Sequence, residues 1–502
     1  MKKVSINILT VFAAGSLLLA GCSKDFLEVD KKGTLLEETY YSNANEVFAG
    51  LVSVYDPMGW ETVDTYHNIG ALNGASDDCY AGGGGPNDMN TWQVWSTYTL
   101  DPAIGPQMDF WKRNFTGVSR ANSFLSIMDV KEVSDLSAEM KARYIAEAKF
   151  LRGYYYFDLV RLFRNVPLIS TAMTVDELYN VPQATPEEVY AQIEKDLTEA
   201  IPALPVTVPA STEGGRITQG TAKALLGKVL LYEKKWAQAA QQLADVNGTP
   251  GGTSQYGYKL LTNFADIFRP DNKFHSESIL EIVHTTVSNA GWGNWGQFEG
   301  NVATTMFGPR GYSGPLYYSG WSFNPITPEL YNAIHYDPRF KATVADIDSL
   351  EKAKLATYEK GYMNTGHFIQ KYAPLVAYKS TGGGEPTLNY PQDYIEIRLA
   401  DTYLMEAEAL VQAGTNQTRA VALLNAVRAR VGLGPVAATL ENIYNERRLE
   451  LATEGHRWFD LVRTDRAATV LAGRGFKAGK HEILPIPYRE LGNTKLVQNP
   501  GY

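Results

Sequence analysis

The chain has 502 residues, 46 Lys and Arg against 55 Asp and Glu, a formal charge of −9 and two cysteines. An acidic chain repels polyanions, which argues against nucleic acid or an anionic membrane face as partner. The length is enough for a large core, and the cysteine count leaves no room for a disulfide framework.

Met1-Lys2-Lys3 precedes an uncharged apolar run from Val4 to Ala20, then Gly21-Cys22. The run falls short of the roughly 20 residues a membrane span needs, so residues 1–21 read as a secretory leader. Leu19-Ala20-Gly21-Cys22 resembles a bacterial lipobox, which makes Cys22 the expected lipidation site. Residues 22–44 are polar and aperiodic and read as a tether, whose Ser23-Lys24-Asp25 resembles an acidic surface-export signal. With Cys22 lipidated, Cys79 is the only thiol left.

From residue 45 to 502 a single domain is expected. Helical periodicity appears at about 45–58, 117–129, 138–163, 186–203, 218–234, 236–246, 393–413, 417–431 and 440–464. Thr185-Pro186-Glu187-Glu188 is a helix start, with Thr as cap and Pro at the first helical position. Leu226-Gly227, Leu230, Trp236 and Ala239 fall at the spacing of a tetratricopeptide hairpin. The expected fold is mostly α: a helical platform over about 45–58, 117–246 and 393–464. Two loop-rich stretches, 60–112 and 248–390, form a variable face with a few short strands such as Ile279 to Val287.

Ile443 to Arg463 is expected to be one charged helix in which Glu446, Glu450 and Glu454 form a row. Arg447, Arg448, Arg457 and Arg463 are the cations at hand. A carboxylate pair for acid/base chemistry is one reading; a half-buried ion network is the favoured one. Phe459-Asp460-Leu461-Val462-Arg463 repeats Phe157-Asp158-Leu159-Val160-Arg161, which suggests similar helices at the two ends of the scaffold.

Gly291-Trp292-Gly293-Asn294-Trp295-Gly296 has the spacing G-x-G-x-x-G but fails as a dinucleotide fingerprint, because no helix and no acidic residue follow where they should. It reads better as a flexible loop carrying two flat aromatic faces. Indole planes suit the apolar faces of sugar rings, and Asn294, Gln297 and Asn301 could serve the hydroxyl rims. Trp111, Trp236 and Trp458 are expected in the core. Trp60, Trp92, Trp95, Trp292, Trp295 and Trp321 lie in the loop regions. Asp77, Asp78 and Tyr80, before the glycine run Gly82 to Gly85, are candidate polar partners. The candidate ligand-binding set is Asp77, Asp78, Tyr80, Trp92, Trp292, Trp295 and Trp321. Catalytic and metal signatures are absent, and nothing supports a cofactor beyond a conceivable structural calcium ion.

Five stretches carry a family resemblance: LLLAGCSKDFLE, AEAKFLRGYYYFDLVRLFRNVPL, RLADTYLMEAEAL, NERRLELATEGHRWFDLVR and LPIPYRELGNTKLVQNPGY. Together they resemble the SusD/RagB family of bacterial outer-membrane nutrient-binding lipoproteins. The resemblance implies a tetratricopeptide-containing scaffold that binds an oligosaccharide at the cell surface without transforming it. It also implies a partner, a SusC-like TonB-dependent transporter. Alternatives are a peptide cargo, as in the RagB branch, an exported glycoside hydrolase, or an assembly scaffold.

Overall fold

Helices stack as antiparallel hairpins because each buries one stripe against its neighbours in sequence. The computed structural model describes residues 40–60, 67–287, 291–294, 299–492 and 494–502. Gln107–Val130 packs on Ala138–Phe163, which packs on Pro186–Ala200; Gln219–Tyr232 pairs with Trp236–Asn247, and Leu399–Ala413 with Gln417–Arg430. Trp236–Asn247 also lies against Leu399–Ala413, so the series closes into one continuous layer. Small residues set the crossings. A Cβ on Gly227 would sit 2.6 Å from the Leu243 side chain, and one on Gly117 would enter the Tyr155 ring. Thr185 forms the complete capping box with Glu188 that its sequence announces.

Strands are few among the described residues: three antiparallel pairs and no closed sheet. The segment expected as a strand from Ile279 is Ser278–Ile282, and its partner is Tyr394–Arg398. That partner occupies the start of what reads as a helix at 393–413, which begins only at Leu399. Tyr394–Arg398 is buried on both faces; Ile395-Glu396-Ile397-Arg398 alternates apolar and polar residues, the period of a strand, but runs with no Gly or Pro between it and the helix that begins at Leu399. The helix expected at 117 begins at Gln107.

The stretch from Ile443 to Arg463 is two helices, Leu440–Glu450 and Arg457–Arg463. Thr453 (φ 68°) and Gly455 (φ 80°) take left-handed conformations between them, which ends the first helix. The row Glu446, Glu450 and Glu454 is nevertheless buried together, and its cations come from elsewhere in the chain. Arg339 Nη1 lies 2.7 Å from Glu446 and 2.9 Å from Glu450; Lys371 Nζ lies 2.6 Å from Glu454. Arg398 bonds Glu450, Glu454 and Glu277. The arginines of the stretch itself turn to other carboxylates: Arg447 to Asp401 and Asp460, Arg463 to Glu408.

The repeated pentapeptides adopt one local geometry. Arg161 Nε donates to Asp158 at 3.1 Å and Arg463 Nε to Asp460 at 2.8 Å. They are not at opposite ends of the scaffold: the Arg161 guanidinium lies 4.0 Å from the centre of the Phe459 ring, close enough for cation–π attraction.

Candidate functional site

Trp321 stands on a short ladder. Its N–H donates to Thr305 O at 3.0 Å, Gly320 N–H to Pro309 O at 2.8 Å and Ser322 N–H to Gly308 O at 2.8 Å. Gly308 and Gly320 cross so closely that a Cβ on Gly320 would lie 2.4 Å from Gly308 Cα, so these backbones meet only because neither carries a side chain. The glycine run is laid along the next residues. Gly83 N–H donates to Ser322 O at 2.7 Å, and Gly82 has φ 74° with Pro325 and Ser322 against it.

That packing sets polar groups on the Trp321 backbone. Arg310 Nη2 donates to Trp321 O at 3.1 Å and lies 3.5 Å from Asp88, whose carboxylate accepts the Gly84 N–H at 2.7 Å. The Arg310 Nε is buried with no acceptor among the described residues. Trp292 is 54% exposed and faces the same ring, with centroids 6.0 Å apart and planes 32° from parallel. Two tilted indoles, with a cation on the backbone of one of them and a carboxylate beside that cation, can hold a ring apolar on its face and hydroxylated on its edge.

The other sequence candidates lie elsewhere. Trp92 is 1% exposed, edge-on to Phe323, and its ring fills the space a Gly70 side chain would need. It presents no face to a ligand, a correction to its place in the candidate set. Trp95, one helical turn on, is buried against Trp458 and Phe110, so neither member of that pair is presented. Asp77 and Asp78 are also buried, bonded to arginines of the C-terminal helices. Arg457 binds Asp77 at 2.7 Å, and Arg448 reaches both at 2.9 Å. Burial opposes the charge of Asp77, but Arg457 and Arg448 outweigh it and hold the carboxyl below its ordinary range; burial wins at Asp78, which is raised. These aspartates fasten the first loop region to the scaffold rather than offering acceptors to solvent. Tyr80 is half-buried under the Arg474 guanidinium, 5.0 Å away. Asn301 is buried as the cap of Val302–Phe307. Trp295, Gln297, the Asn294 side chain and Cys22 lie outside the described residues. Cys79 is buried, and burial pushes its thiol up, which makes it inert. Among the described residues no three His, Cys, Asp or Glu side chains converge as cation ligands.

Residues 25–231 match the family described as starch-binding and associating with the outer membrane, and residues 276–502 match the SusD family. A laminarin-binding SusD-like protein of known structure is 51% identical over 92% of this chain and 100% of its own, with a TM-score of 0.89. The chain belongs to the SusD family. Another similar structure is surface glycan-binding protein A from Bacteroides thetaiotaomicron, solved in complex with laminarihexaose. It is 26% identical, covering 91% of this chain and 99% of that one, with a TM-score of 0.81. A SusD-like protein of Bacteroides ovatus is 26% identical over 473 residues, 90% of this chain and 82% of that protein.

Two residues of this candidate site escape sequence reading, Arg310 and Asp88. They are 222 positions apart, and neither belongs to a motif. The available signal was the glycine run Gly82 to Gly85, separated from Asp88 by Pro86 and Asn87, since consecutive glycines mark a close backbone approach.

Proposed function

We propose that this SusD-family protein is a surface glycan-binding lipoprotein that holds a laminarin-type oligosaccharide and passes it to a SusC-like TonB-dependent transporter. The observation that carries the reading is the tilted pair of Trp292 and Trp321, the first exposed and the second half-buried, with Arg310 on the Trp321 main-chain carbonyl and Asp88 beside Arg310. The cargo class rests on the 51% identical laminarin-binding relative. Trp292 and Trp321 stack on successive sugar faces, and Arg310 and Asp88 supply a donor and an acceptor to the ring hydroxyls.

The protein binds without hydrolysing. Asp88 is tied to the Gly84 N–H and to Arg310, contacts that hold its loop in place. No helix among the described residues is long and apolar enough to cross a membrane; lipid on Cys22 tethers the chain to the outer membrane. Native gels cast with laminarin test the reading: migration is retarded by laminarin and less by starch, and laminarihexaose incubated with the protein for hours is recovered intact. Equal migration with and without laminarin contradicts it.

A further inference from the structure

Two buried carboxyl groups meet beside the strand pair Ser278–Ile282 and Tyr394–Arg398. Glu281 stands opposite Ile395, which puts residue 393, two positions earlier, on the same face of the pair. Glu281 and Asp393 are both buried and hydrogen-bond through their side chains. Their oxygens are unequally served. Glu281 Oε2 accepts the Phe274 N–H at 3.0 Å, and Ser278 is a further side-chain partner. Asp393 Oδ1 accepts the His284 N–H at 2.7 Å and lies 2.5 Å from Lys273 Nζ. Asp393 Oδ2 meets no N–H or hydroxyl donor among the described residues. A buried carboxylate oxygen without a donor is uncompensated for its lost hydration, and a proton on Glu281 is the donor that completes it.

The surrounding charges do not replace that proton. Lys273 is already on Asp393 and also donates to His284 O at 2.6 Å. On the open side of Glu281 stand Arg216 and His275. Arg216 is bonded to Glu147 and Glu213, and His275 faces Ile267 O through Nε2 and accepts the Glu277 N–H at Nδ1. Two touching carboxyls cannot both ionise cheaply, and burial together with Asp393 raises Glu281 to about 8.

From this pair, contacts lead to both indoles of the tryptophan site. Next to His284, Thr285 N–H donates to Glu299 O at 2.7 Å, pairing the two ends of the stretch on which Trp292 stands. Next to Asp393, Gln392 O accepts Asn301 Nδ2 at 2.9 Å. Asn301 caps the helix Val302–Phe307, whose Thr305 O accepts the Trp321 N–H.

We propose that Glu281 and Asp393 share one proton and are positioning residues that hold Trp292 and Trp321 in their binding arrangement, an inference that rests on reading those indoles as the glycan platform. Loss of the proton sets two carboxylates against each other at the point from which both indoles are held.

Difference infrared spectra of the parent and Glu281→Gln at pH 7 read the proton without ligand. The parent should show the carbonyl band of a protonated carboxyl that the variant lacks, and absence of that band overturns the proposal. Calorimetric titration with laminarihexaose from pH 7 to 9 reads the coupling. With only the protonated form competent, a group titrating at about 8 weakens the parent roughly 10-fold over that range. Glu281→Gln, whose amide donates to Asp393 at every pH, should stay within about 2-fold. Parent affinity constant from pH 7 to 9, or falling equally in Glu281→Gln, overturns the proposal. A parent that binds no laminarihexaose at any pH defeats the glycan reading instead, and tryptophan fluorescence then reads the coupling. A change between pH 7 and 9 that Trp292→Phe and Glu281→Gln each abolish supports it, and the lack of one overturns it.

Discussion

Arg398 grips Glu454 through two parallel hydrogen bonds, Nε to Oε2 and Nη2 to Oε1, each 2.8 Å long. Both side chains are buried, and the same guanidinium bonds Glu450 and Glu277. It therefore joins the strand Tyr394–Arg398, the end of the Leu440–Glu450 helix and the residue preceding the strand Ser278–Ile282 at one point. Arg398→Leu takes one cation from each of three buried carboxylates, leaving Arg339 and Arg430 on Glu450, Lys371 on Glu454 and Arg430 on Glu277, and should cost about 3–5 kcal/mol, as expected for breaking a buried ion pair. Urea unfolding measures it; a loss below about 1 kcal/mol means the network is not what holds these elements together.

Trp92 and Trp458 belong to the scaffold, buried and packed edge-on against Phe323 and Trp95 respectively. Trp92→Ala and Trp458→Ala should each destabilise the fold by about 3–5 kcal/mol, by the rule for large core side chains. Affinity for laminarihexaose, measured where the variants remain folded, should stay within about 2-fold, since less than about 0.5 kcal/mol of binding is at stake. A Trp92 variant that melts normally but binds poorly would contradict its burial.

Two buried groups give stability opposite slopes with pH. Burial, reinforced by Lys228, pushes the His456 imidazole down to about 4. The unfolded chain protonates there near pH 6.5, so this group leaves stability intact above about 6.5 and erodes it as pH falls towards 4, by up to on the order of 3 kcal/mol. Burial and the Asp393 carboxylate raise Glu281 to about 8. Its stabilising effect is present below about 4.5 and is lost as pH rises through 8. Glu281→Gln removes the second slope and should raise the melting temperature relative to the parent at pH 8 more than at pH 5. Equal shifts at both pH values would show that Glu281 is ionised in the folded chain.

Lipid on Cys22 is expected to be the membrane link. Cys22→Ala should leave the melting temperature unchanged and move the chain from the membrane to the soluble fraction, because the buried methylenes of the acyl chains supply the attachment. Retention of that variant in membranes lacking the transporter contradicts the anchor.

Helices are legible in the sequence where local rules decide. Thr185-Pro186 starts one, small residues at Gly227 and Ala239 mark a crossing, and the hairpin order follows. The two helices at the C-terminal end read as one although Gly455 interrupts the pattern, because the charge row runs through the break. The site is only half legible. Trp292 and Trp321 stand out as aromatic residues in polar loops, but nothing local distinguishes them from Trp92, whose burial depends on Gly70 and on Phe323 far along the chain. Likewise Asp77 and Asp78 look free until Arg448 and Arg457 arrive from 370 and 380 positions away. Long-range pairing of this kind leaves no periodic trace in sequence.

Calorimetric titration of laminarihexaose into the parent, Trp292→Ala and Trp321→Ala is the most direct measurement of whether the indole pair holds a glycan. Loss of one stacking face is worth about 1–3 kcal/mol, by analogy with bases on aromatic side chains, or roughly 5-fold to 150-fold in Kd. Trp292 is exposed and has little core to lose. Trp292→Ala should therefore weaken binding by that factor with a melting temperature within about 2 °C of the parent, less than the roughly 2–4 °C that 1 kcal/mol shifts in domains of 150–250 residues. Affinity unchanged in both variants, or no laminarihexaose binding by the parent, would contradict the account.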